Sequence, residues 1–308
     1  MIEPLVSILI PTFDRKALLL ETLKSVWRDE DFSYEIIVGD NSSADGTVEM
    51  CTEFFRQTPP IGMVHAAVLQ QSSNIGMVKN WNALLESAHG KYVRLLCDDD
   101  LLLDGALARE ISALEKNPEA AICSSARLEL ENRFFILPNE TRKEFAEVKR
   151  FSTEDKKLHG AEALAAMIHG ENIFGSPSAV LFRRNALASF SEKFQYATDW
   201  AAWLEICEKY GAILLSEPGC WFRLHEGNLT SRFVWAGVDI EEVFALRWKA
   251  LRFLEKKSGI QLSQERKYLA LALWLKLTRR AAKLLFAGKF EKFFPTLKRV
   301  ILAIAQEK

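Results

Sequence analysis

The stretch that decides the fold ends in three acidic residues and reads Tyr92-Val93-Arg94-Leu95-Leu96-Cys97-Asp98-Asp99-Asp100. Its first part is mostly apolar, as expected of a strand buried on both faces of a sheet. The three carboxylates follow at the carboxyl end of that strand, where they would repel one another unless a cation or hydrogen-bond donors compensated. Such oxygen ligands suit Mg2+ or Mn2+. The alternative is a solvated acidic turn that caps the next helix.

Three further apolar runs precede this stretch, and a helical pattern follows each of them. The runs are residues 6–10, 35–39 and 63–69. Strands that alternate with helices predict an α/β fold with a doubly wound, largely parallel sheet, in which ligands bind at the carboxyl ends of the strands. Asp40, directly after the second run, and the acidic triplet would both lie at that edge.

Several short motifs along the chain share an order and spacing that is specific, although each is weak by itself. They are Ser7–Arg15, Val38–Thr47, Asn74–Gly76 with Asn80, Gly90–Asp100, Gly175–Arg184, Thr198–Trp200 and Phe222–His225. In these motifs the chain resembles the family 2 glycosyltransferases over roughly residues 4–232. The resemblance implies the GT-A nucleotide-sugar fold with a mixed sheet and a helical extension at the carboxyl terminus.

The resemblance also implies a division of the chain. The catalytic domain would occupy residues 1–232, with a nucleotide-binding half at about 1–128 and an acceptor half at about 129–232. A basic amphipathic helical region would follow at 233–308. Residues 129–172 form a charged and less regular segment, which is typical of acceptor-facing loops.

Site roles at the amino-terminal end follow from the same resemblance. It implies that Pro11, Thr12 and Phe13 line the nucleotide pocket. It implies that Asp40 accepts a hydrogen bond from the base, with uracil preferred.

The acidic triplet departs from the family's usual Asp-x-Asp-Asp run, because Cys97 occupies the first acidic position. Asp99 is then expected to bind the metal and Asp98 to contact the ribose, while Asp100 is either a supporting or a structural residue. The chain has no Gly-rich phosphate loop. The diphosphate charge must therefore be met by a metal and a few cations, for which Lys79 and Arg223 are candidates.

His225 and Asp199 complete the predicted site, and each has an ordinary structural alternative. His225 is either a further metal or diphosphate ligand or a common loop histidine. Asp199 precedes an amphipathic helix, where an acidic residue is favoured as an N-cap. The resemblance instead implies that Asp199 is the catalytic base of an inverting single displacement, which takes the acceptor proton.

Composition agrees with an intracellular enzyme. The chain has 308 residues, of which 49% are hydrophobic, so it can bury a large core. The five cysteines are scattered without a CxxC pair, which favours reduced thiols over disulfides or zinc. Neither a signal peptide nor an uncharged run of about 18 residues is recognised. We expect a cytoplasmic protein.

The overall charge of -1 hides a strongly basic carboxyl terminus. Residues 251–308 carry 14 Lys and Arg against 4 Asp and Glu. Helical apolar patterns at 269–286 and 290–304 are interleaved with these cations, which suits an interfacial helix on anionic lipid. A helical cap on the catalytic domain, or on a second subunit of a homo-oligomer, is the equal alternative. Nucleic-acid binding is not expected, because no recognised binding module is present.

The sequence thus predicts a metal-dependent inverting glycosyltransferase that uses a nucleoside-diphosphate sugar. Its acceptor would be a saccharide or a lipid-linked saccharide in cell-surface polysaccharide or glycolipid synthesis. If the basic region binds lipid, the enzyme would lie peripherally at the inner face of the membrane. The alternatives are a catalytically silent nucleotide-sugar-binding scaffold and a nucleotidyltransferase, although the latter would be expected to show a Gly-rich loop after the first strand.

Overall fold

A computed structural model describes most of residues 2–225 and two helices of the carboxyl-terminal region. The described residues are 2–132, 135, 142–144, 146–170, 172–225 and 238–286. The predicted final helix at 290–304 and the residues directly after His225 lie outside these ranges.

Ten strands and eight main helices make up the described chain. The strands are β1 Val6–Thr12, β2 Tyr34–Asp40, β3 Met63–Gln70, β4 Tyr92–Leu95, β5 Leu101–Leu102, β6 Ala120–Glu131, β7 Glu147–Lys149, β8 Lys156–Leu158, β9 Val180–Arg183 and β10 Gly211–Leu224. The helices are α1 Lys16–Val26, α2 Thr47–Phe54, α3 Met77–Ser87, α4 Ala106–Glu115, α5 Gly160–His169, α6 Thr198–Lys209, α7 Val238–Ser258 and α8 Ser263–Phe286.

The strands form one mixed sheet in the order β3-β2-β1-β4-β9-β6-β10-β5. Strands β3, β2, β1 and β4 are parallel to one another. Strand β9 is antiparallel to both of its neighbours, β4 and β6. The predicted alternation of strands and helices, and the mixed sheet, are confirmed. All four parallel strands place their carboxyl ends at one edge, so the segments that follow them meet there.

Apolar side chains cover both faces of this sheet, as the nearly continuous hydrophobic strands require. Successive β1 residues face opposite sides. Ile8 and Ile10 join the core beneath α1, α2 and α4, whereas Leu9 joins the core beneath α3, α5 and α6. The two layers hold the sheet rigidly between them, and loops at the carboxyl edge are left to carry polar side chains.

The described part of the carboxyl-terminal region docks on the second layer. Helix α7 buries an apolar face that includes Phe244 and Leu251 against this core. Helix α8 buries Leu269 and Leu273, four residues apart, on the same side. One face of α8 is therefore buried against the rest of the molecule, and its opposite face is exposed to solvent.

Candidate functional site

The amino-terminal edge of the site is built where β1 and β2 end side by side. Thr12 and Asp40 are paired in register at the ends of the two strands, and both are buried. The Asp40 carboxylate accepts a hydrogen bond from the Ser43 backbone N–H at 3.1 Å, which closes the turn after β2. The backbone N–H of Asn41 donates to the Thr12 carbonyl at 3.0 Å. The loops after these two strands are thus fixed to each other.

Hydrogen bonds of Asp14 also join the same two loops, at a place where the backbone is strained. Asp14 and Ser42 adopt positive φ angles of 51° and 68°, a conformation that L-residues other than Asn and Asp adopt rarely. The Asp14 carboxylate accepts from the Ala44 N–H at 2.7 Å, and the Asp14 N–H donates to the Ser43 hydroxyl at 2.9 Å. Such strain persists where the surrounding structure enforces it, which is common at ligand sites.

Asp98 lies just beyond β4 and is held by donors from the β1 loop. The Thr12 hydroxyl donates to Oδ2 at 2.7 Å, and Nη1 of Arg15 donates to Oδ1 at 3.0 Å. Burial and the neighbouring Asp99 charge raise the pKa of Asp98 to about 6, against the opposing effect of Arg15. The carboxyl is therefore stabilised by neighbours but remains poorly solvated.

Asp99 is the member of the triplet on which two other side chains converge. Its Oδ2 accepts a hydrogen bond from Arg15 Nη1 at 2.8 Å and lies 2.9 Å from His225 Nε2. The Cys97 thiol and the Asp99 and Asp100 carboxylates also offer ligand atoms that lie within 4.8 Å of one another. The structure thus brings both predicted metal ligands, Asp99 and His225, together.

Asp100 is fully buried and engaged on both oxygens. Ser178 donates to Oδ2 at 2.5 Å, and the Arg223 backbone N–H donates to Oδ1 at 3.1 Å. Burial and the adjacent Asp99 raise the pKa of Asp100 well above its usual range. These contacts connect β4 to β9 and β10, which makes Asp100 a structural anchor for the site.

A buried ion pair supports this anchor from below. The Arg94 guanidinium, on β4, binds Glu110 of α4 and the carbonyl oxygen of Ser178. Glu110 also accepts a hydrogen bond from the Ser125 hydroxyl at 2.5 Å. Because both charged side chains are completely inaccessible to solvent, removal of either one would leave an uncompensated buried charge, at a cost of about 3–5 kcal/mol.

Asp199 lies in the first turn of α6, one residue after the helix begins. Ala197 occupies the N-cap position, so the alternative that Asp199 is the N-cap is wrong. The side-chain amide of Asn172 donates to Asp199 Oδ2 at 3.3 Å. Burial raises the pKa of Asp199 to about 6, although adjacent backbone N–H groups and the Arg127 charge act in the opposite direction. A carboxylate with this pKa can accept a proton near neutral pH.

The loop 172–178 contacts both acidic groups. At its start, Asn172 reaches Asp199 and also donates to the Gly175 carbonyl at 2.8 Å, which folds the loop into a turn. At its end, the Ser178 hydroxyl binds Asp100 and accepts from the Cys97 N–H at 3.0 Å. Six residues span at most about 21 Å when extended. The loop 172–178 therefore connects the triplet to Asp199 over no more than this distance.

The remaining predicted residues differ in their exposure and contacts. Phe13 is exposed and Pro11 is half-buried at the end of β1. Lys79 is exposed in the first turn of α3 and forms no ion pair within the described ranges. Arg223, a candidate diphosphate partner, is instead buried, where it binds Glu21 at 2.6 Å and stacks over Phe135.

Sequence reasoning assigned no role to three side chains that organise the site. They are Arg15, Asn172 and Ser178. Arg15 and Ser178 lie inside motifs that carry the family resemblance, so a search of those motifs for donors could have identified them. Asn172 offered no comparable signal, because its partner lies 27 residues further along the chain.

A comparison with protein families identifies the chain. The family described as Glycosyl transferase family 2 matches residues 7–189. A Campylobacter jejuni protein named GalNAc(5)-diNAcBac-PP-undecaprenol beta-1,3-glucosyltransferase is 35% identical over 105 residues, which are 34% of this chain and 33% of that protein. The matched segments span between a third and about half of the length of the curated relatives.

Solved structures share the fold. Staphylococcus aureus TarS 1-349, in complex with UDP-GlcNAc, aligns with a TM-score of 0.69 at 19% identity over 97% of this chain and 81% of that one. The mannosyltransferase PcManGT from Pyrobaculum calidifontis, in complex with GDP-Man and Mn2+, aligns with a TM-score of 0.53 at 17% identity over 100% of this chain and 88% of that one. The predicted GT-A fold is confirmed, and with more than half of its length matched, the chain belongs to glycosyltransferase family 2.

Proposed function

We propose that the chain is an inverting glycosyltransferase that moves a sugar from a nucleoside-diphosphate donor, with uracil as the base, to an acceptor hydroxyl. The acceptor we propose is a lipid-linked saccharide of cell-surface polysaccharide or glycolipid assembly. The observation that carries the proposal is the loop 172–178, because it joins the acidic triplet to Asp199. Family membership favours glycosyl transfer over both a nucleotidyltransferase and a silent scaffold.

The chemistry assigned to Asp199 follows from its position and its pKa. As the acceptor oxygen forms its bond to the anomeric carbon, the bond from that carbon to the diphosphate oxygen breaks, and the acceptor proton passes to the Asp199 carboxylate. One displacement of this kind inverts the configuration at the anomeric carbon. Asn172 orients the carboxylate, and the raised pKa of Asp199, about 6, makes it basic enough to take the proton.

The donor would lie along the carboxyl edge of the sheet. Asp40 and residues 11–13 are proposed to surround the base, Asp98 to contact the ribose, and Lys79 to meet the diphosphate. Asp40 is buried in its own turn, so a base N–H would share the carboxylate with Ser43.

The donor set at the triplet fits a divalent cation. Asp98 and Asp99 concentrate two carboxylates that at present share one guanidinium, and His225 adds a nitrogen at 2.9 Å from Asp99. Asp99 and His225 would hold Mg2+ or Mn2+, and the ion would supply positive charge to stabilise the departing diphosphate. Arg15 must give up at least one of its carboxylate contacts for the ion to bind. The Mn2+ in the mannosyltransferase neighbour supports this proposal.

Two observations support a lipid-linked acceptor and a peripheral membrane contact. The Campylobacter relative is named for an undecaprenol-linked substrate. In this chain, α8 exposes Leu271, Trp274 and Leu275 on its solvent-facing side, next to Lys276 and Arg279. An exposed apolar face flanked by cations suits the surface of an anionic bilayer. Within the described ranges, the helices are too short or too polar to cross a membrane.

Donor binding is tested by thermal shift with UDP, GDP, dTDP and CDP, each with Mn2+ and with EDTA. We expect UDP to stabilise the protein only when metal is present. Transfer is then tested with the corresponding sugar donor and a lipid-linked saccharide, and the anomeric configuration of the product is read by NMR. Stabilisation by none of the four nucleotides would contradict the proposed donor site, and retention of configuration would contradict the single displacement.

The membrane contact is tested by co-sedimentation with vesicles that contain anionic phospholipid. Replacement of Leu271 and Trp274 by Gln should reduce the bound fraction. Ile61, which is 73% exposed in the loop before β3, provides a control as Ile61→Gln. Equal binding of the α8 variant and the control would contradict the membrane role.

A further inference from the structure

We propose that a cavity beside Asp199 binds a phosphate or diphosphate group carried by the acceptor. This inference rests on the proposed function, because it takes Asp199 as the group that receives the acceptor proton. It adds the charge of the acceptor and the side chains that recognise it.

The cavity has a volume of about 320 Å³ and lies between β6, the segment 149–152 and the loop 172–178. This volume falls at the low end of the range for small-molecule sites, roughly 300–1,000 Å³. Asn172 and Gly175 line the cavity, and Asn172 also binds Asp199 at 3.3 Å. A molecule in the cavity would therefore have one end close to the proposed base.

The charged side chains among the described residues of the cavity lining are basic. They are Arg127, Lys149 and Arg150, and no carboxylate occurs in this described part of the lining. Arg127 is held by Glu129 through two hydrogen bonds of 2.9 and 2.7 Å, and Lys149 pairs with Glu147. Arg150 is exposed and forms no ion pair within the described part of the chain. The positive charge of Arg150 is thus available to an anionic ligand, and a guanidinium can bind phosphate oxygens in a bidentate manner.

The position of Arg127 is fixed by backbone geometry. Gly175 has a φ of +73°, and a Cβ at this position would lie 2.3 Å from Nη1 of Arg127. The absence of a side chain at residue 175 therefore allows the guanidinium to pack against the loop that also carries Asn172. Arg127 thus lines the cavity, and its charge opposes the rise that burial causes in the pKa of Asp199.

The rim of the cavity leads to the exposed face of α8. Gly170 lines the cavity and accepts a hydrogen bond from the Arg247 guanidinium of α7. Beside it, the Tyr268 hydroxyl of α8 donates to the His169 carbonyl at 2.9 Å, and the two rings lie 4.8 Å apart. A lipid-linked acceptor could thus place its sugar at Asp199, its phosphate at Arg150 and its apolar chain along α8.

The experiment measures binding of geranyl diphosphate to the full chain by calorimetry in EDTA, where no metal assists diphosphate binding at the acidic triplet. We expect binding to the wild-type protein that weakens as NaCl is raised. The double variant Lys149→Gln/Arg150→Gln should bind about tenfold more weakly or worse. The control Arg56→Gln/Lys116→Gln loses the same charge at exposed positions on the ends of α2 and α4 and should bind as the wild type does.

Pyrophosphate and geraniol separate the contributions of the two halves of the probe. Binding of pyrophosphate that depends on Lys149 and Arg150 would support an anionic subsite, and tighter binding of geranyl diphosphate would add the path to α8. Equal binding of geraniol and geranyl diphosphate, or equal weakening in both double variants, would overturn the inference. No binding to the wild type would also overturn it.

Failure of this inference can be distinguished from failure of the proposed function, because the latter is tested by nucleoside-diphosphate binding with Mn2+, by sugar transfer and by the configuration of the product. Thermal stabilisation of the Lys149→Gln/Arg150→Gln variant by UDP and Mn2+ confirms that its fold is intact. Arg150→Lys retains the positive charge but lacks the planar guanidinium. Its affinity for geranyl diphosphate should therefore lie between that of the wild type and that of the Lys149→Gln/Arg150→Gln variant. If Arg150→Lys binds geranyl diphosphate as weakly as the double variant does, although it keeps the charge, electrostatic recognition of the phosphate would be contradicted.

Discussion

The surroundings of Asp98 and Asp199 differ although the pKa of each is raised to about 6. Asp98 is bound by Thr12 and Arg15 and is crowded by Asp99, so burial and like charge act against two strong donors. Among the described residues, Asn172 is the one side-chain donor to Asp199, at 3.3 Å, and burial raises the pKa of this carboxyl. The contacts around Asp98 stabilise its negative charge, whereas those around Asp199 allow its carboxylate to gain a proton.

A raised carboxyl pKa therefore does not by itself identify a catalytic base. Around Asp98 the strong donors would be lost on protonation, which suits a residue that binds a cation or a hydroxyl. Around Asp199 the donors are Asn172, at 3.3 Å, and backbone N–H groups at the start of α6, with no guanidinium bound to the carboxylate among the described contacts, which suits proton transfer. The following variants test this difference between Asp98 or Asp99 and Asp199.

The largest effect is expected from Asp199→Asn. The amide keeps the shape of the side chain and its contact with Asn172 but cannot take a proton. We expect the transfer rate to fall by about 10²–10⁴-fold, whereas the affinity for nucleoside diphosphate and metal is retained. Single-turnover transfer and thermal shift measure the two quantities. A transfer rate near that of the wild type would refute Asp199 as the base.

Asp99→Asn should produce the opposite pattern. Loss of a metal-binding carboxylate removes several kcal/mol of charge stabilisation, so metal-dependent binding of the nucleoside diphosphate should weaken by about 10²-fold or more. Calorimetry with and without Mn2+ checks this expectation. The matched control is Asp104→Asn, which removes an almost fully exposed carboxylate from the next turn. Equal affinities in both variants would exclude Asp99 as a metal ligand.

The pH dependence of transfer should be smaller but diagnostic. Asp199 must be unprotonated to act as a base, so kcat/KM should fall about tenfold per pH unit below its pKa of about 6. Because the pKa of Asp98 is also about 6, donor binding must be measured over the same pH range. The pH limits of the measurement are pH 5 and pH 7, each roughly one unit from the Asp199 pKa. If kcat/KM stays constant over this range while donor binding is unchanged, Asp199 is not the base.

The smallest effect concerns the loop between the two regions. Gly175→Ala forces a side chain into a positive φ and against Arg127, which should lower the free energy of unfolding by about 1–3 kcal/mol. Gly259→Ala is the control, because Gly259 also has a positive φ, +70°, but no atom lies within 4 Å of its Cβ position. Denaturant unfolding should show a greater loss for Gly175→Ala, and equal losses would exclude the steric conflict.

The fold could be predicted from the sequence because its signals are local. Apolar runs gave β1 to β4, and the predicted fourth strand at 92–97 is observed as Tyr92–Leu95. Its last two predicted residues leave the ladder so that Cys97 and the acidic triplet can turn back toward Ser178. The family resemblance then supplied the mixed character of the sheet, which depends on the antiparallel insertion of β9.

The site was predictable in its acidic residues but not in their partners. Adjacent carboxylates after a strand are visible in any sequence, whereas Arg15 meets Asp99 across 84 residues and Ser178 meets Asp100 across 78. The alternative that Asp199 is the N-cap was wrong because the helix begins one residue earlier, at Thr198, with Ala197 as its N-cap. Helix ends are set by backbone packing that a local pattern does not contain.

The guanidinium of Arg15 between Asp98 and Asp99 would make entry of the proposed metal ion an ion-exchange process. One positive charge already offsets these two carboxylates, so the pocket presents less net negative charge to an incoming divalent ion than the carboxylates alone would. The long-range attraction for the metal is correspondingly weak, and the affinity should depend little on ionic strength. Displaced from one carboxylate, the Arg15 guanidinium would lie beside the ion, where it would also meet a diphosphate that arrives with it.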